Sequence, residues 1–222
     1  PEAYPVTIAA HCDDGADDKD GYSEFDTSTI LNTLLTNPAT GLSQNLIDYT
    51  VSFSYTDDKG VGQTAATLPN PFNTKTQSVI ATVTNPLNWD CVITESIEFV
   101  VNPLPSFDID DDTVVCLNPL PGQPVEIGTS NWNGGTTASI YNYYWTLDSD
   151  PSFSETGETI KVDKGGIYTV IVENPVTFCI RTKSITVSES EMASLDLDDD
   201  GSITKSEYDH FIQVVDLAND NA

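Results

Sequence analysis

The chain has 222 residues, enough for about one or two domains, with 35 Asp and Glu against 8 Lys and Arg and a formal charge of −27. A surface this acidic repels nucleic-acid phosphates and anionic lipids, so no nucleic-acid partner is expected, and it suits divalent cations or a saline exterior. No stretch approaches the roughly 20 consecutive apolar residues of a membrane helix, so no membrane insertion is expected.

The first feature along the chain is an acidic run that follows Cys12. Seven acidic side chains lie between Asp13 and Asp26, and crowding of this kind destabilises a compact state unless cations neutralise it. The run fails as an EF-hand, because placing its Gly21 at loop position 6 leaves no acidic ligand at positions 1 and 12. The alternatives are a solvated loop and a calcium loop of another kind. For the calcium loop the expected donors are Asp13, Asp18, Asp20, Asp26 and a carbonyl near Tyr22.

Most of the chain predicts short β-strands separated by turns. In residues 49–55, aromatic and Val side chains alternate with hydroxyls, which is typical of a half-buried strand. Asn-Pro and Gly-Gly turn signals recur at short intervals. Many short strands with turns between them favour antiparallel β-sandwiches. The clearest predicted strands are 49–55, 77–84, 92–101, 141–147, 168–173 and 181–187.

A stiff connector, Asn102-Pro103-Leu104-Pro105, predicts a boundary between a domain at 1–103 and a second at 104–188. The two sides look like divergent copies of one unit. Each has an acidic stretch beside a Cys near its start, then an Asn-Pro turn, then a second Cys just before its final strand. This weak repetition suggests a tandem array.

The four cysteines show no metal-type spacing and allow three disulfide connectivities. We predict the pairs Cys12–Cys91 and Cys116–Cys179, because each pair then lies within one predicted domain. Buried free thiols are the alternative. Disulfides would place the chain outside a reducing cytosol.

The last segment, 189–222, contains a complete EF-hand loop pattern, with oxygen donors at positions 1, 3, 5, 9 and 12 and a Gly at position 6. The predicted Ca²⁺ ligands are Asp196, Asp198, Asp200, the carbonyl of Ser202, Thr204 and Glu207. An acidic linker is the alternative. Because there is no second copy, we expect a structural site and not a sensor. Apolar spacing from Tyr208 onward predicts an exiting helix, and the opening strand of another repeat is its alternative.

The sequence gives little support for catalysis, and we expect no enzyme. His11 and His210 lie in no nucleophile motif, and there is no Gly-rich phosphate loop. Trp145 is predicted to be a buried sandwich residue. Trp89 and Trp132 lie in turn-rich stretches, where exposed rings could stack on sugars or instead pack against loops.

Three runs of the first domain resemble a known family: Cys12-Asp13-Asp14-Gly15 with its continuation to Asp26, residues 68–77, and residues 100–105. They are similar to the tandem extracellular repeats of large surface proteins that gliding Bacteroidota, including flavobacteria, export by type IX secretion. The second domain is similar to PKD-like and Ig-like repeats through Tyr143-Tyr144-Trp145, residues 164–170 and residues 184–187. The EF-hand-like run is not a usual part of such repeats.

The expected fold class is all-β, with two tandem antiparallel Ig/PKD-like β-sandwiches followed by an EF-hand-like helical tail. The expected function is that of a calcium-stabilised structural and adhesive region of a secreted cell-surface protein, an adhesin or a gliding-motility adhesin stalk. Its expected partners are neighbouring repeats of the same polypeptide and extracellular glycans or surfaces. The alternative is a carbohydrate-binding accessory region of a secreted polysaccharide-degrading enzyme. Because the chain begins at Pro1, we expect a fragment of a longer, processed protein.

Overall fold

A computed structural model of the chain describes residues 1–45, 47–116, 124–130 and 140–190, without the side chains of Cys116 and Ser190. The predicted EF-hand loop, its exiting helix and Trp132 lie outside the described residues. The chain divides between Leu104 and Pro105 into two compact units.

The described part of the first unit contains eight strands and one short helix. These are β1 (His11–Cys12), β2 (Ser23–Phe25), α1 (Ile30–Leu35), β3 (Thr50–Thr56), β4 (Gly62–Ala65), β5 (Phe72–Thr74), β6 (Gln77–Asn85), β7 (Asn88–Phe99) and β8 (Val101–Asn102). A four-stranded antiparallel sheet has the order β4-β3-β6-β7. Two small sheets complete the unit, β2 antiparallel to β5 and β1 parallel to β8.

Alternation of apolar and polar residues builds the core of this unit. In β6 the side chains of Val79, Ala81 and Val83 are buried, and the residues between them point away from the core. Phe99 from β7 contacts the rings of Phe25 and Phe72 edge-on, at centroid distances of 5.1 and 5.2 Å. Aromatic rings prefer this edge-to-face packing. The predicted strand 77–84 is therefore confirmed with its inward face.

The helix α1 is not predicted from the sequence. This six-residue helix buries Ile30, Leu34 and Leu35, and Thr29 at its N-terminus makes no side-chain capping bond. One and a half turns without a cap leave almost no periodic signal. Burial of its apolar residues against the core therefore stabilises the helix more than local propensity does.

The described part of the second unit is all strand. Its elements are β9 (Asp108–Ile109), β10 (Thr113–Cys116), β11 (Val125–Ser130), β12 (Asn142–Leu147), β13 (Asp150–Glu155), β14 (Thr159–Val162), β15 (Gly166–Glu173) and β16 (Ile180–Ser190). One sheet has the order β10-β16-β15-β12-β13, and a second has the order β14-β11-β9. The first pair, β10 and β16, is parallel, and the others are antiparallel.

The core of the second unit includes Trp145, which is 0% exposed. Its indole N–H donates a hydrogen bond of 2.9 Å to the carbonyl of Gly157, so the ring's polar atom is satisfied although buried. The prediction that Trp145 is a core residue is confirmed. With strands throughout both units and one short helix in the described residues, the all-β fold class is also confirmed.

Candidate functional site

The short strand β1 places Cys12 at one edge of the first unit. Its parallel register pairs His11 with Val101 and Cys12 with Asn102. Backbone hydrogen bonds on both sides hold it there, from the His11 N–H to the Val100 carbonyl at 3.0 Å and from the Asp13 N–H to the Asn102 carbonyl at 2.9 Å. The position of Cys12 is therefore fixed by main-chain bonds to the end of the unit.

Asp13, the next residue, is a buried carboxylate with one unsatisfied oxygen. The side chain is 3% exposed, and its Oδ2 accepts a 3.0 Å hydrogen bond from the Gly21 N–H, whereas Oδ1 has no hydrogen-bond partner among the described residues. Burial raises the pKa of Asp13, the bond from Gly21 opposes that rise, and the negative charges of Asp20, Asp18 and Asp17 add to it. Asp13 is therefore a buried carboxylate whose ionised form is disfavoured by burial and by neighbouring negative charges.

The other predicted donors of this run make mostly local contacts. Asp20 Oδ1 accepts the Tyr22 N–H at 2.8 Å, and Asp26 Oδ1 accepts the Ser28 N–H at 2.9 Å. Hydrogen bonds from Ser28 lower the pKa of Asp26. The structure brings Asp17, Asp18 and Asp20 close enough to Asp13 to act on its charge, whereas Asp26 is engaged by its own turn.

Beside this loop lies an open groove of about 600 Å³, whose lining includes His11, Asp14, Asp17, Asp20 and Glu24. Within the described residues, no group of three or more His, Cys, Asp or Glu side chains is arranged to hold a metal ion. The His11 ring stacks on Phe25 at 4.3 Å, and its Nδ1 lies 3.4 Å from the Ser23 Oγ. The carboxylates would have to turn toward Asp13 to share a cation with it.

A second acidic run, residues 108–112, also suggests a calcium site by its composition, but the structure gives its end residues other roles. Lys183 Nζ lies 3.5 Å from Asp108 Oδ1, and Asp112 Oδ1 accepts the Thr186 N–H at 2.8 Å. The same strand, β16, holds the preceding segment through a bond from Arg181 Nε to the Pro105 carbonyl at 2.6 Å. Asp108 and Asp112 therefore bind the start of the second unit to strand β16.

Cys179 lies at the end of the turn that closes the second unit. The Asn174 side-chain oxygen accepts the Val176 N–H at 3.0 Å, and the Asn174 N–H donates to the Cys179 carbonyl at 2.9 Å. Phe178 has a positive φ of 59°, unusual for a residue other than glycine. This turn places Cys179, which is 0% exposed, directly before β16.

The bonding states of the cysteines correct the predicted pairing. Cys12 and Cys179 are both in disulfide bonds, whereas Cys91 is an exposed free thiol. The predicted bond Cys12–Cys91 is therefore wrong. It assumed that each bridge closes within one domain, and the spacing of cysteines along the chain cannot test that assumption. The other predicted bond, Cys116–Cys179, is wrong as well, because with Cys91 free it would leave no cysteine for the bonded Cys12.

Residues 8–105 match a family model described as the Flavobacterium inter-domain disulphide bond domain. The match spans all eight strands of the first unit and includes both Cys12 and Cys91. A disulfide-bonded region of this kind belongs to an oxidising, extracellular compartment. The flavobacterial part of the predicted resemblance is supported by this match, and its adhesin part is not addressed by it.

Other known proteins give no further indication of what this chain does. No curated protein matches the chain. Among solved structures, the three N-terminal domains of the highly immunogenic outer capsid protein of bacteriophage RB49 align over 67% of this chain and 51% of that one, with 19% identity and a TM-score of 0.33. The N-terminal four Ig domains of Dscam1 isoform 4.44 align over 64% and 38%, with 14% identity and a TM-score of 0.29. Drosophila N-cadherin EC1-4 aligns over 64% and 42%, with 11% identity and a TM-score of 0.31.

The chain thus spans about half or less of each of these solved structures, and TM-scores this low indicate nothing about function. In the described part of the chain, no helix has the length and apolar character needed to cross a bilayer. Of the two tryptophans predicted to lie in turn-rich stretches, Trp89 is described, and it is 70% exposed on β7. Most of the Trp89 side chain is therefore accessible to solvent.

Proposed function

We propose that this chain is a structural repeat region of a large, secreted bacterial surface protein, in which a disulfide between Cys12 and Cys179 joins consecutive domains. Neighbouring repeats of the same polypeptide are its partners, and its task is to extend and present adhesive parts of the protein away from the cell. Calcium bound by the acidic loops adds to its rigidity.

The observation that carries this proposal is the bonding state of the cysteines. A cysteine can form at most one disulfide, and Cys91 forms none. If Cys12 took Cys116, then Cys179 would be left without a partner in the chain, although it is bonded. The pair Cys12–Cys179 satisfies both states, and the description of the family that matches residues 8–105 supports a bond between domains.

Peptide mapping of the full chain under non-reducing conditions tests this pairing. After alkylation of free thiols, we expect a cross-linked peptide pair containing Cys12 and Cys179, and an alkylated Cys91. In the Cys12→Ser variant, Cys179 should become alkylated, because its partner is gone. A Cys91→Ser variant is the matched control and should leave the cross-link unchanged.

A cross-link between Cys116 and Cys179, with Cys12 alkylated, would show that each bridge closes within one domain. The proposal of a disulfide between domains would then be abandoned. Because the readout is covalent connectivity, it does not depend on any activity of the protein.

The calcium part of the proposal is supported by Asp13. Its buried Oδ1 has no hydrogen-bond partner among the described residues, and the charges of Asp17 and Asp20 act on the same carboxylate. A divalent cation bound there would offset both the desolvation of Asp13 and this mutual repulsion. Asp18 and Asp26, together with the Tyr22 carbonyl, are further donors that we propose. A second proposed site is the loop from Asp196 to Glu207, which lies outside the described residues.

Thermal unfolding in calcium and in EDTA separates the two proposed sites. A cation that binds only the folded state stabilises it by RT ln(1 + [L]/Kd), about 2.7 kcal/mol at 100 times Kd. Asp13→Asn should remove the calcium-dependent rise in Tm of the first unit. Asp196→Ala with Glu207→Ala should remove one bound calcium equivalent by titration and leave that rise intact.

Two controls define the result. Asp48→Asn removes an exposed charge elsewhere in the first unit and should keep the full calcium response. NaCl at the same ionic strength shows how much of the response is plain screening. An equal calcium-dependent rise in Tm for the original chain and for Asp13→Asn would show that Asp13 is not part of a calcium site.

A further inference from the structure

The two units carry their second cysteine at the same place in the same kind of hairpin. The closing hairpin of the first unit is β6–β7, and that of the second is β15–β16. In the first, Thr84 pairs with Val92, so Cys91 directly precedes the paired residue. In the second, Glu173 pairs with Ile180, so Cys179 directly precedes the paired residue. Cys91 and Cys179 therefore share their place relative to a paired residue of the closing hairpin.

The turns before these cysteines are also alike. Each begins with Asn-Pro directly after the paired residue, and the Asn side-chain oxygen accepts the backbone N–H two residues later, at 2.9 Å for Asn85 and Leu87 and at 3.0 Å for Asn174 and Val176. The two hairpins differ beyond these shared features. In the first, a register shift follows Thr84 and Asn85 pairs with Asn88, so Cys91 lies within β7, whereas Cys179 lies directly before β16.

The first cysteines of the units correspond as well. Cys12 is the last residue of β1, which runs parallel to β8 at the end of the first unit. Cys116 is the last residue of β10, which runs parallel to β16 at the end of the second unit. Each unit therefore has a leading cysteine on a strand parallel to its final strand, and a hairpin cysteine before its last long strand.

The hairpin cysteines differ in state, because Cys179 is buried and bonded and Cys91 is exposed and free. Around Cys91 the end of the hairpin is exposed and apolar: Leu87 is 94% exposed and Trp89 70%, and Val92 and Ile93 are exposed as well. An apolar surface around a free thiol, at the position where the other unit is cross-linked, fits a protein domain as its partner.

We propose that Cys91 is the acceptor for the leading cysteine of another domain of this kind that precedes the first unit in a tandem array, with Leu87 and Trp89 as the docking surface. This inference rests on the proposed pairing of Cys12 with Cys179 and applies the same rule one repeat earlier. The array is then cross-linked in a chain, with the leading cysteine of each domain bound to the hairpin cysteine of the next.

The bond forms by thiol–disulfide exchange with a disulfide oxidant, RSSR. The thiolate of the leading cysteine attacks one sulfur of RSSR and releases one RS⁻, which takes a proton to become RSH. The Cys91 thiolate then attacks the cysteine sulfur of the mixed disulfide and releases the second RSH. Two thiols are oxidised, and RSSR is reduced to two RSH.

A fusion that adds a copy of residues 1–104 in front of the full chain tests this inference. The added copy carries Cys91→Ser, so one Cys91 remains, and Lys19→Arg, so that the peptide with its Cys12 has a distinct mass. After oxidation with oxidised glutathione and alkylation, we expect the added Cys12 linked to the resident Cys91, and the resident Cys12 linked to Cys179. With resident Cys91→Ser as the control, the added Cys12 should instead be alkylated.

The two cross-links report on the two proposals separately. If resident Cys12–Cys179 is present but Cys91 is alkylated, linked to Cys116 or linked to a Cys91 of another molecule, the inference about Cys91 is overturned and the proposed function stands. If resident Cys12–Cys179 is itself absent, the proposed function fails, and the inference fails with it.

The docking surface is tested by Trp89→Ser in the same fusion. This change should slow formation of the Cys91 cross-link at least several-fold and leave formation of the Cys12–Cys179 cross-link unchanged. Equal rates of Cys91 cross-linking with and without Trp89→Ser would overturn the docking surface.

Discussion

At the scale of single residues, the surroundings of Asp13 make its ionised carboxylate destabilise the folded state. Its main-chain N–H is fixed to Asn102 at 2.9 Å, directly after the cysteine of β1, so the residue cannot leave the protein interior without breaking that pairing. Its burial and three neighbouring negative charges, those of Asp20, Asp18 and Asp17, raise its pKa from the ordinary value of 3.8. A buried charge without a full set of partners destabilises the folded state.

This arrangement predicts a specific pH dependence for the metal-free protein. Well below pH 3.8, Asp13 is protonated in both the folded and the unfolded state and does not change the free energy of unfolding. As the pH rises through the raised folded pKa, the folded state binds more protons than the unfolded state, so the free energy of unfolding falls and then levels off. In EDTA, Asp13→Asn should therefore have a higher Tm than the original chain at pH 7 and an equal Tm below about pH 3.8.

The measurement is a series of thermal melts between pH 3.5 and 7, with Asp48→Asn as the matched variant. For a unit of this size, each kcal/mol of relief raises the Tm by about 4–8 °C. A difference between Asp13→Asn and the original chain that does not vary with pH would contradict the assigned cause.

At the scale of elements, the long strands could be predicted from the sequence and the short ones could not. The alternation in 77–84 and in 168–173 marks β6 and β15, because each presents a regular apolar face to a core. The leading strands β1 and β10 have two and four residues, and their parallel partners lie far along the chain, so no local pattern reveals them.

The candidate site was predictable in part for the same reason. The density of carboxylates after Cys12 identified an unusual loop, but burial of Asp13 follows from the β1–β8 pairing, which the sequence does not display. The disulfide pairing likewise depends on which sulfur atoms meet in three dimensions. The roles of Asp108 and Asp112 depend on their approach to β16, so their acidic composition alone suggested a cation.

Gly128 in β11 gives a prediction at this scale, because the strand pair β11–β14 leaves no room for a side chain there. A Cβ on Gly128 would lie 2.6 Å from Thr159 Cγ2 and 3.1 Å from the Glu158 carbonyl oxygen. Gly128→Ala should destabilise the second unit by about 1–3 kcal/mol, as overpacking does. Adding Thr159→Ser, which removes Cγ2, should restore part of the loss.

Urea unfolding followed by the fluorescence of buried Trp145 measures this effect in the second unit. Gly62→Ala in β4 is the control, because no atom lies within 4 Å of its added Cβ. Equal midpoints for Gly128→Ala and the original chain would mean that the strands separate enough to accept a methyl group.

At the scale of the whole molecule, the formal charge of −27 dominates the response to salt. Like charges at this density repel one another in the folded state and separate on unfolding, and the Debye length shrinks from about 30 Å at 0.01 M to about 10 Å at 0.1 M salt. In EDTA, the Tm should therefore rise with NaCl over this range. A rise of the same size in tetramethylammonium chloride would assign it to screening, whereas a Tm that stays flat or falls would contradict the electrostatic argument.

The parallel pairing of β10 with β16 has a consequence for mechanical load. When the two ends of the second unit are pulled apart, parallel neighbouring strands at those ends are drawn in opposite directions along their own axes. All four register pairs, from Thr113 with Val187 to Cys116 with Ser190, then bear the tension together, whereas a hairpin pulled open from its free end yields one rung at a time. A tether built of such units resists stretching through backbone hydrogen bonds between strands that are loaded at the same time.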